Sequence, residues 1–177
     1  MILRRLFLAV AATPSLAHAQ GKLEIPAQWY AVKVEDNAFT VEMPGVSDHR
    51  IIDDATPRGT AFKLHSYTLE TMDRSYLVQT AVYPSDAGAA QPRAVLQAAL
   101  DARAASLMSR RWDRVEWHES EHRVSVESRG VLTSGKGLRQ LVVLKGQRLI
   151  SLAFLGSRGS LSSPDADRFF RSLKIAA

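Results

Sequence analysis

Hydrophobic and polar residues alternate along two neighbouring stretches near the start of the chain, residues 29–34 and 39–43. A period of two places every second side chain on the same face, which is typical of a half-buried β-strand. Asp36 and Asn37 provide turn residues between the two stretches. The pattern therefore predicts a β-hairpin. The residues on its buried face would be Tyr30, Val32, Val34, Phe39, Val41 and Met43.

Further segments along the chain have the composition and alternation of strands. They are residues 61–69, 76–83, 124–127, 138–144 and 148–155. Lys145-Gly146-Gln147 predicts a tight turn between the last two. The Asp-rich stretch 47–58 shows no alternation, and we interpret it as a polar loop.

Two other segments show helical periodicity. From residue 93 to residue 111, apolar side chains recur every three or four positions among many alanines, and Pro92 suits a first helical turn. A second helix is predicted after Ser163, which can act as its N-cap, with Pro164 as its first residue. The apolar side of this helix would consist of Phe169, Phe170, Leu173 and Ile175.

This succession of strand pairs, a long helix, a strand meander and a closing helix predicts an α+β domain in which helices cover an antiparallel β-sheet. After residue 19 the sequence contains no internal repeat and no long linker. We therefore expect residues 20–177 to form a single globular domain.

Residues 1–19 have the features of a secretory signal peptide. Arg4 and Arg5 precede an apolar run, and Ala17-His18-Ala19 forms a small-x-small cleavage motif that predicts cleavage before Gln20. The run is shorter than the roughly 20 residues of a membrane-spanning helix, so we expect no membrane span. The two arginines also fit a twin-arginine export signal, which leaves the export route open. The leader predicts a periplasmic protein.

The composition of the 177-residue chain adds a constraint on stability and a charge asymmetry. There is no cysteine, so stability must come from the core and not from disulfides. Without Arg4 and Arg5, 21 basic residues face 18 acidic ones, a net charge of +3. Residues 20–100 carry −3 and residues 101–177 carry +6. Because export removes the usual nucleic-acid targets, we expect no nucleic-acid partner.

The basic half of the chain suggests contact with an anionic lipid or polysaccharide of the envelope. The candidate anion-binding residues are Arg110, Arg111, Arg114, Arg139 and Arg148. Scattered arginines also occur on ordinary solvated surfaces, and the sequence leaves both interpretations open.

One stretch, residues 118–122, matches the metalloprotease pattern H-E-x-x-H. On a helix, this spacing places two histidines on one face as zinc ligands and the glutamate beside a metal-bound water as general base. The candidate residues are His118, Glu119 and His122. The flanking residues are charged, strand periodicity begins at Val124, and no suitable third ligand follows. A charged loop or strand edge, a catalytic zinc site and simple metal binding all remain interpretations.

Other patterns that carry chemistry are incomplete. Residues 130–137 imitate a phosphate-binding loop, but Gly137 stands where a Ser or Thr would bind magnesium, and a strand follows. The serines of residues 156–160 do not form a nucleophile elbow. His49 and His65 are interpreted as ordinary loop and strand residues. The tryptophans Trp29, Trp112 and Trp117 are assigned to packing on the sheet. We predict no catalytic residue and no cofactor.

Two motifs resemble a group of exported bacterial domains with the PsbP-like fold. The first is Phe39-Thr40-Val41-Glu42-Met43-Pro44-Gly45, in the predicted hairpin, and the second spans residues 167–174, in the closing helix. The resemblance implies an α/β/α sandwich. It also implies a binding or assembly module, as in the DcrB-type envelope proteins, with no shared catalytic residues to transfer. Residues 110–123 depart from the group's pattern.

Export and the lack of a complete catalytic set favour a periplasmic, non-catalytic binding or assembly module. We expect a monomer whose partner is an envelope protein or a small ligand. One alternative is a metal-binding protein or metal-dependent envelope hydrolase that uses residues 118–122. A second alternative is recognition of anionic lipid or polysaccharide by the basic C-terminal half.

Overall fold

The computed structural model describes residues 28–34, 36–56, 59–84, 91–108 and 111–176. The predicted signal peptide and its cleavage point before Gln20 lie outside the described residues. Within them the elements, in chain order, are β1 (Tyr30–Val32), β2 (Phe39–Met43), β3 (Asp48–Ala55), β4 (Ala61–Glu70), β5 (Ser75–Val82), α1 (Pro92–Leu107), β6 (Arg114–Ser120), β7 (Arg123–Val131), β8 (Gly137–Lys145), β9 (Arg148–Gly156), a 3₁₀ helix (Arg158–Ser162), α2 (Pro164–Arg171) and β10 (Lys174–Ile175).

Seven of the described strands form one antiparallel sheet in the order β3-β4-β5-β9-β8-β7-β6. The predicted hairpin is confirmed, because β1 and β2 pair antiparallel with Tyr30 opposite Met43. The prediction that Tyr30 lies on its buried face is wrong, since Tyr30 is 38% exposed at the end of β1. Together with β10 they form a second sheet in the order β1-β2-β10. Gly146, with a φ of 57°, occupies the predicted tight turn between β8 and β9, where a left-handed backbone favours glycine.

The inner strands of the seven-stranded sheet are buried on both faces. Successive residues of a strand point to opposite sides, so Ile150 and Leu152 of β9 pack with β2 and α2, whereas Leu149 packs with α1. The result is three layers, with α1 on one face of the large sheet and α2 with the small sheet on the other. This arrangement confirms the predicted α+β class and the antiparallel sheet covered by helices.

The closing helix α2 begins as the sequence predicts. The Ser163 hydroxyl accepts a hydrogen bond from the Ala166 amide at 3.3 Å, and Pro164 is the first helical residue. Phe169 is fully buried and meets Tyr76 edge-to-face, with ring centroids 5.4 Å apart. Neither helix in the described part of the chain is long and apolar enough to cross a membrane.

A buried arginine on β8 holds α2 against the sheet. Arg139 is only 6% exposed, and its Nε donates to Glu127 Oε1 at 2.8 Å. Its Nη1 donates to Asp167 Oδ1 at 2.6 Å and to the Leu161 carbonyl at 3.2 Å. The guanidinium also lies 4.4 Å from the centre of the Phe170 ring. A single charge therefore ties β7, β8, the 3₁₀ helix and α2 together.

The next residue of β8 makes a comparable contact on the opposite face. Gln140 is buried, and its Oε1 accepts a hydrogen bond from Arg103 Nη1 of α1 at 2.6 Å. Burial lowers the pKa of Arg103 to about 10, so its side chain stays charged at neutral pH. Adjacent residues of one central strand thus connect the sheet to a helix on each side.

The structure corrects the predicted polar loop at residues 47–58. Most of that stretch is β3, which pairs with β4 along its whole length and forms an edge of the large sheet. Neither face of β3 is deeply buried, and Ile51 is 48% exposed. A strand without a buried face has no hydrophobic alternation, which explains why the sequence pattern does not reveal it.

The ends of both helices also differ from the prediction. Helix α1 ends at Leu107, and Met108 turns to extended backbone that bridges to Leu132, although the segment predicted as helical runs to residue 111. Ile175 does not belong to α2 but pairs with Phe39 in the small sheet. In both places a strand partner competes for the backbone hydrogen bonds that a longer helix would use.

We expect the stability to depend on the ionisation of Asp167. The hydrogen bond from Arg139 is the main factor that lowers the pKa of the Asp167 carboxyl. A carboxyl whose pKa is lowered by folding stabilises the fold at pH values above its ordinary pKa, near 4. This stabilisation is lost as the pH falls through the pKa of the carboxyl in the folded state. Asp167→Asn should therefore cost about 1–2 kcal/mol at pH 7, as measured by urea unfolding, since charged hydrogen bonds contribute about 1.5–3 kcal/mol.

The difference between Asp167→Asn and the wild type should shrink as the pH falls below about 4 and the Asp167 carboxyl becomes protonated. Asp48→Asn, on the exposed edge strand β3, is the matched control and should leave the pH dependence unchanged. An equal loss at pH 7 and pH 3 would contradict an electrostatic role of Asp167.

We expect Phe169 to be a major contributor to the core. Phe169→Ala should reduce the free energy of unfolding by about 3–5 kcal/mol, because it leaves a cavity among buried aromatic rings. Phe169→Leu should lose less. Met72→Ala, at a side chain that is 80% exposed, should change the stability by at most about 0.5 kcal/mol in the same urea titration. Similar effects of Phe169→Ala and Met72→Ala would contradict the assigned core.

Candidate functional site

Two hairpin turns lie at the same end of the large sheet. They connect β6 to β7 and β8 to β9, and the intervening β7–β8 turn lies at the opposite end because the strands are antiparallel. The two turns, the start of α1 and the strand β10 enclose a groove of about 670 Å³, which we call the basic groove. Its lining residues are Ala38, Pro92, Ser120, Glu121, His122, Arg123, Val124, Leu144, Lys145, Gly146, Arg148, Ile175 and Ala176.

The basic groove combines an apolar surface with cationic side chains. Pro92, Val124, Leu144 and Ile175 supply apolar area. The cationic side chains are Arg123, Lys145 and Arg148, and the acidic one is Glu121. This balance suits a ligand or a partner segment that carries an anionic group beside an apolar group.

The three cationic side chains differ in whether they already contact other groups of the protein. Arg148 forms an ion pair with Asp36 of the β1–β2 turn. Lys145 Nζ donates to the Ala176 carbonyl at 2.6 Å. The guanidinium of Arg123 is exposed and contacts no partner within the described ranges. Arg123 is therefore the cation that can bind an external anion without breaking an internal contact.

The structure places the H-E-x-x-H residues on a strand and a turn. His118 and Glu119 are consecutive residues of β6, so they point to opposite faces of the sheet. Glu119 pairs with Arg93 of α1, while His122 lies exposed in the turn, 3.9 Å from Glu121. The helix that the zinc-protease pattern requires is not formed. In the part of the chain that the structure describes, no three His, Cys, Asp or Glu side chains cluster to hold a metal ion.

The arginines predicted to bind anions are not gathered in one free surface. Arg110 lies outside the described residues, and Arg111 is exposed beyond α1. Arg139 is buried in its contacts with Glu127 and Asp167, so it is unavailable to an external ligand.

Arg114 and Arg148 have separate surroundings. Arg114 forms an ion pair with Glu116, two residues along β6. In the strand register, Arg114 lies directly opposite Arg129 of β7. Arg129 itself forms an ion pair with Glu127 at 3.1 Å. Arg148 lies at the other end of the sheet and is the one member of the set that lines the basic groove.

Sequence reasoning missed Arg123 and Lys145 as site residues. Each follows or precedes a short turn and looks like any charged residue beside a hairpin. Their proximity depends on two separate hairpins that turn at the same end of one sheet. The sequence contained part of the signal, because Arg148 is a predicted anion-binding residue, His122 is a predicted metal ligand, and both line the groove.

The three tryptophans pack on the protein, as the sequence predicts. Trp29 meets Tyr76 edge-to-face at 6.4 Å, and Arg168 lies 4.5 Å from the centre of its ring. Trp112 Nε1 donates to the Leu100 carbonyl at 3.2 Å, which fixes the chain after α1 against that helix. Trp117 is partly buried beneath Arg93.

Comparison with solved structures identifies the fold. The chain is similar to cyanobacterial PsbP (CyanoP) from Synechocystis sp. PCC 6803, with a TM-score of 0.54 and 12% sequence identity over 90% of this chain and 98% of that chain. A protein of unknown function from Pseudomonas aeruginosa matches with a TM-score of 0.49 and 10% identity, over 84% of this chain and 98% of that chain. No protein-family model and no curated protein matches the sequence. The similarity to CyanoP confirms the PsbP-like fold.

Proposed function

We propose that this PsbP-like domain is an exported, periplasmic, non-catalytic binding or assembly module. In this proposal, the basic groove holds a ligand or partner segment that presents an anionic group beside an apolar one. The observation that carries the proposal is the groove itself, which distant parts of the chain build around an apolar surface and Arg123, a cation that pairs with no described residue. The leader of residues 1–19 supports the periplasmic location.

The chemistry of the groove supports holding a ligand more than transforming it. General acid–base catalysis needs titratable groups held close to one another and to the substrate. The titratable neighbours in the groove, Glu121 and His122, are both largely exposed and 3.9 Å apart. Cations and apolar side chains form most of the remaining lining, which fits recognition.

The two alternative functions differ in their support. Recognition of an anionic lipid or polysaccharide is compatible with the basic groove, since Arg123, Lys145 and Arg148 lie there. That alternative specifies the ligand of the same site. A metal-dependent hydrolase that uses His118, Glu119 and His122 receives no support from the placement of these residues on a strand and a turn.

We expect covalent capture of the partner from the groove. A photo-reactive phenylalanine analogue replaces Ser120, which lines the groove, and the protein is irradiated in intact cells. The same analogue at Ser134, in the exposed β7–β8 turn at the other end of the sheet, is the control. A discrete adduct should form from position 120 and not from position 134, as read by mass spectrometry.

Arg123→Glu should reduce the adduct from position 120, because it replaces the unpaired cation of the groove by an anion. Arg50→Glu makes the same charge change on the exposed edge strand β3 and should leave the adduct unchanged. Added salt should also weaken the capture, since screening reduces exposed charge–charge contacts. Equal labelling from both positions, or no adduct from position 120, contradicts the proposed binding site.

We expect cleavage of the leader during export. When the full chain is produced in a Gram-negative host, the protein recovered from the periplasmic fraction should begin at Gln20 by N-terminal mass analysis. Ala19→Arg, which removes a small residue of the cleavage motif, should leave the unprocessed chain in the cells. Recovery of the full-length chain from the cytoplasm in both cases contradicts the periplasmic location.

A further inference from the structure

Two histidines on neighbouring strands lie side by side, away from the basic groove. His49 is on β3 and His65 is on β4, and the register pairs His49 with Tyr67 and Ile51 with His65. The two histidines are therefore diagonal neighbours on one face of the sheet. Their ring nitrogens, His49 Nε2 and His65 Nδ1, are 3.3 Å apart.

The core holds one of these rings in place. The His49 ring stacks on Tyr67 with centroids 4.3 Å apart and an angle of 5° between the planes. Tyr67 itself is only 5% exposed and belongs to the core beneath β2 and α2. The two imidazoles lie at 17° to each other with centroids 5.4 Å apart. A ligand position supported by a buried aromatic ring is partly preorganised.

The separation of the two nitrogens suits a tetrahedral metal ion. Zinc binds histidine nitrogen at about 2.0–2.1 Å, so two ligands at the tetrahedral angle stand about 3.3–3.4 Å apart. In the free protein, the same two atoms share one N–H···N hydrogen bond, whose proton a metal ion can replace. Imidazole is a ligand that suits Zn²⁺, Cu²⁺ and Ni²⁺.

The surroundings of the pair leave room for further ligands. His49 is exposed and lines a cavity of about 250 Å³ beside β1. His65 is half-buried and lines a second cavity of about 440 Å³. Within the described residues no third His, Cys, Asp or Glu joins the pair. Water or an external ligand would therefore complete the coordination.

We propose that His49 and His65 form a two-histidine binding site for a divalent transition metal, with zinc favoured by the geometry. The site has one ligand on each of two paired strands and open coordination positions toward solvent. It is separate from the basic groove and does not depend on the proposed function.

Calorimetric titration of the untagged chain, residues 20–177, with ZnCl₂ tests the proposal. We expect one zinc ion per chain, with affinity reduced at least about tenfold in His49→Gln and in His65→Gln, since even partners outside the first coordination shell contribute that much. His118→Gln and His122→Gln make the same change at exposed histidines and should leave the affinity unchanged. Acidification should weaken binding, because protons compete with zinc for the imidazole nitrogens.

A second measurement avoids variants that could fail to fold. Zinc added to ¹⁵N-labelled wild-type protein should shift the imidazole nitrogen resonances of His49 and His65 and leave those of His118 and His122 in place. Unchanged affinity in His49→Gln and His65→Gln overturns the proposal, and so do resonance shifts confined to His118 and His122. The latter result would return metal binding to the H-E-x-x-H residues.

Discussion

The architecture depends on buried polar contacts from two consecutive residues of β8, an inner strand of the large sheet. Arg139 donates to Glu127 and Asp167 on one face, and Gln140 accepts from Arg103 on the other. Hydrophobic burial drives both helices onto the sheet, but it is non-directional. Hydrogen bonds between buried charged and polar groups have defined geometry, and an unpaired partner would be costly. These contacts therefore specify where along the sheet each helix lies.

The pairing of charged side chains within the protein limits which surfaces remain free for external contacts. Part of the basic charge in the C-terminal half is paired within the protein, as the contacts of Arg139, Arg129 and Arg114 with acidic side chains show. The side chains left for external contacts lie at the ends and edges of the sheet. The basic groove lies at one end, beside two hairpin turns, and the pair of His49 and His65 lies near the outer edge formed by β3.

Sequence periodicity and apolar composition predicted those elements that bury apolar side chains. The hairpin of β1 and β2, the strands β4, β5, β8 and β9, the long helix α1 and the cap of α2 all follow from them. For β6, the sequence left a charged loop or a strand edge open at residues 118–122, since only Glu116 and Trp117 of this strand are partly buried. The edge strand β3 was missed, because a strand exposed on both faces has no hydrophobic alternation. The same error placed His49 in a loop. Its metal-binding geometry became visible only when β3 was seen to pair with β4.

The sequence by itself determined the fold class, because the order of periodic segments allows few ways to bury their apolar faces. It also predicted the leader and showed that no disulfide could contribute to stability. Only the tertiary structure decided which charges face inward and which remain free. Arg123 and Arg139 look alike in sequence, yet one is exposed at the groove and the other is buried beneath α2. Strand order and register decide that difference, since they bring together residues that are distant in the chain.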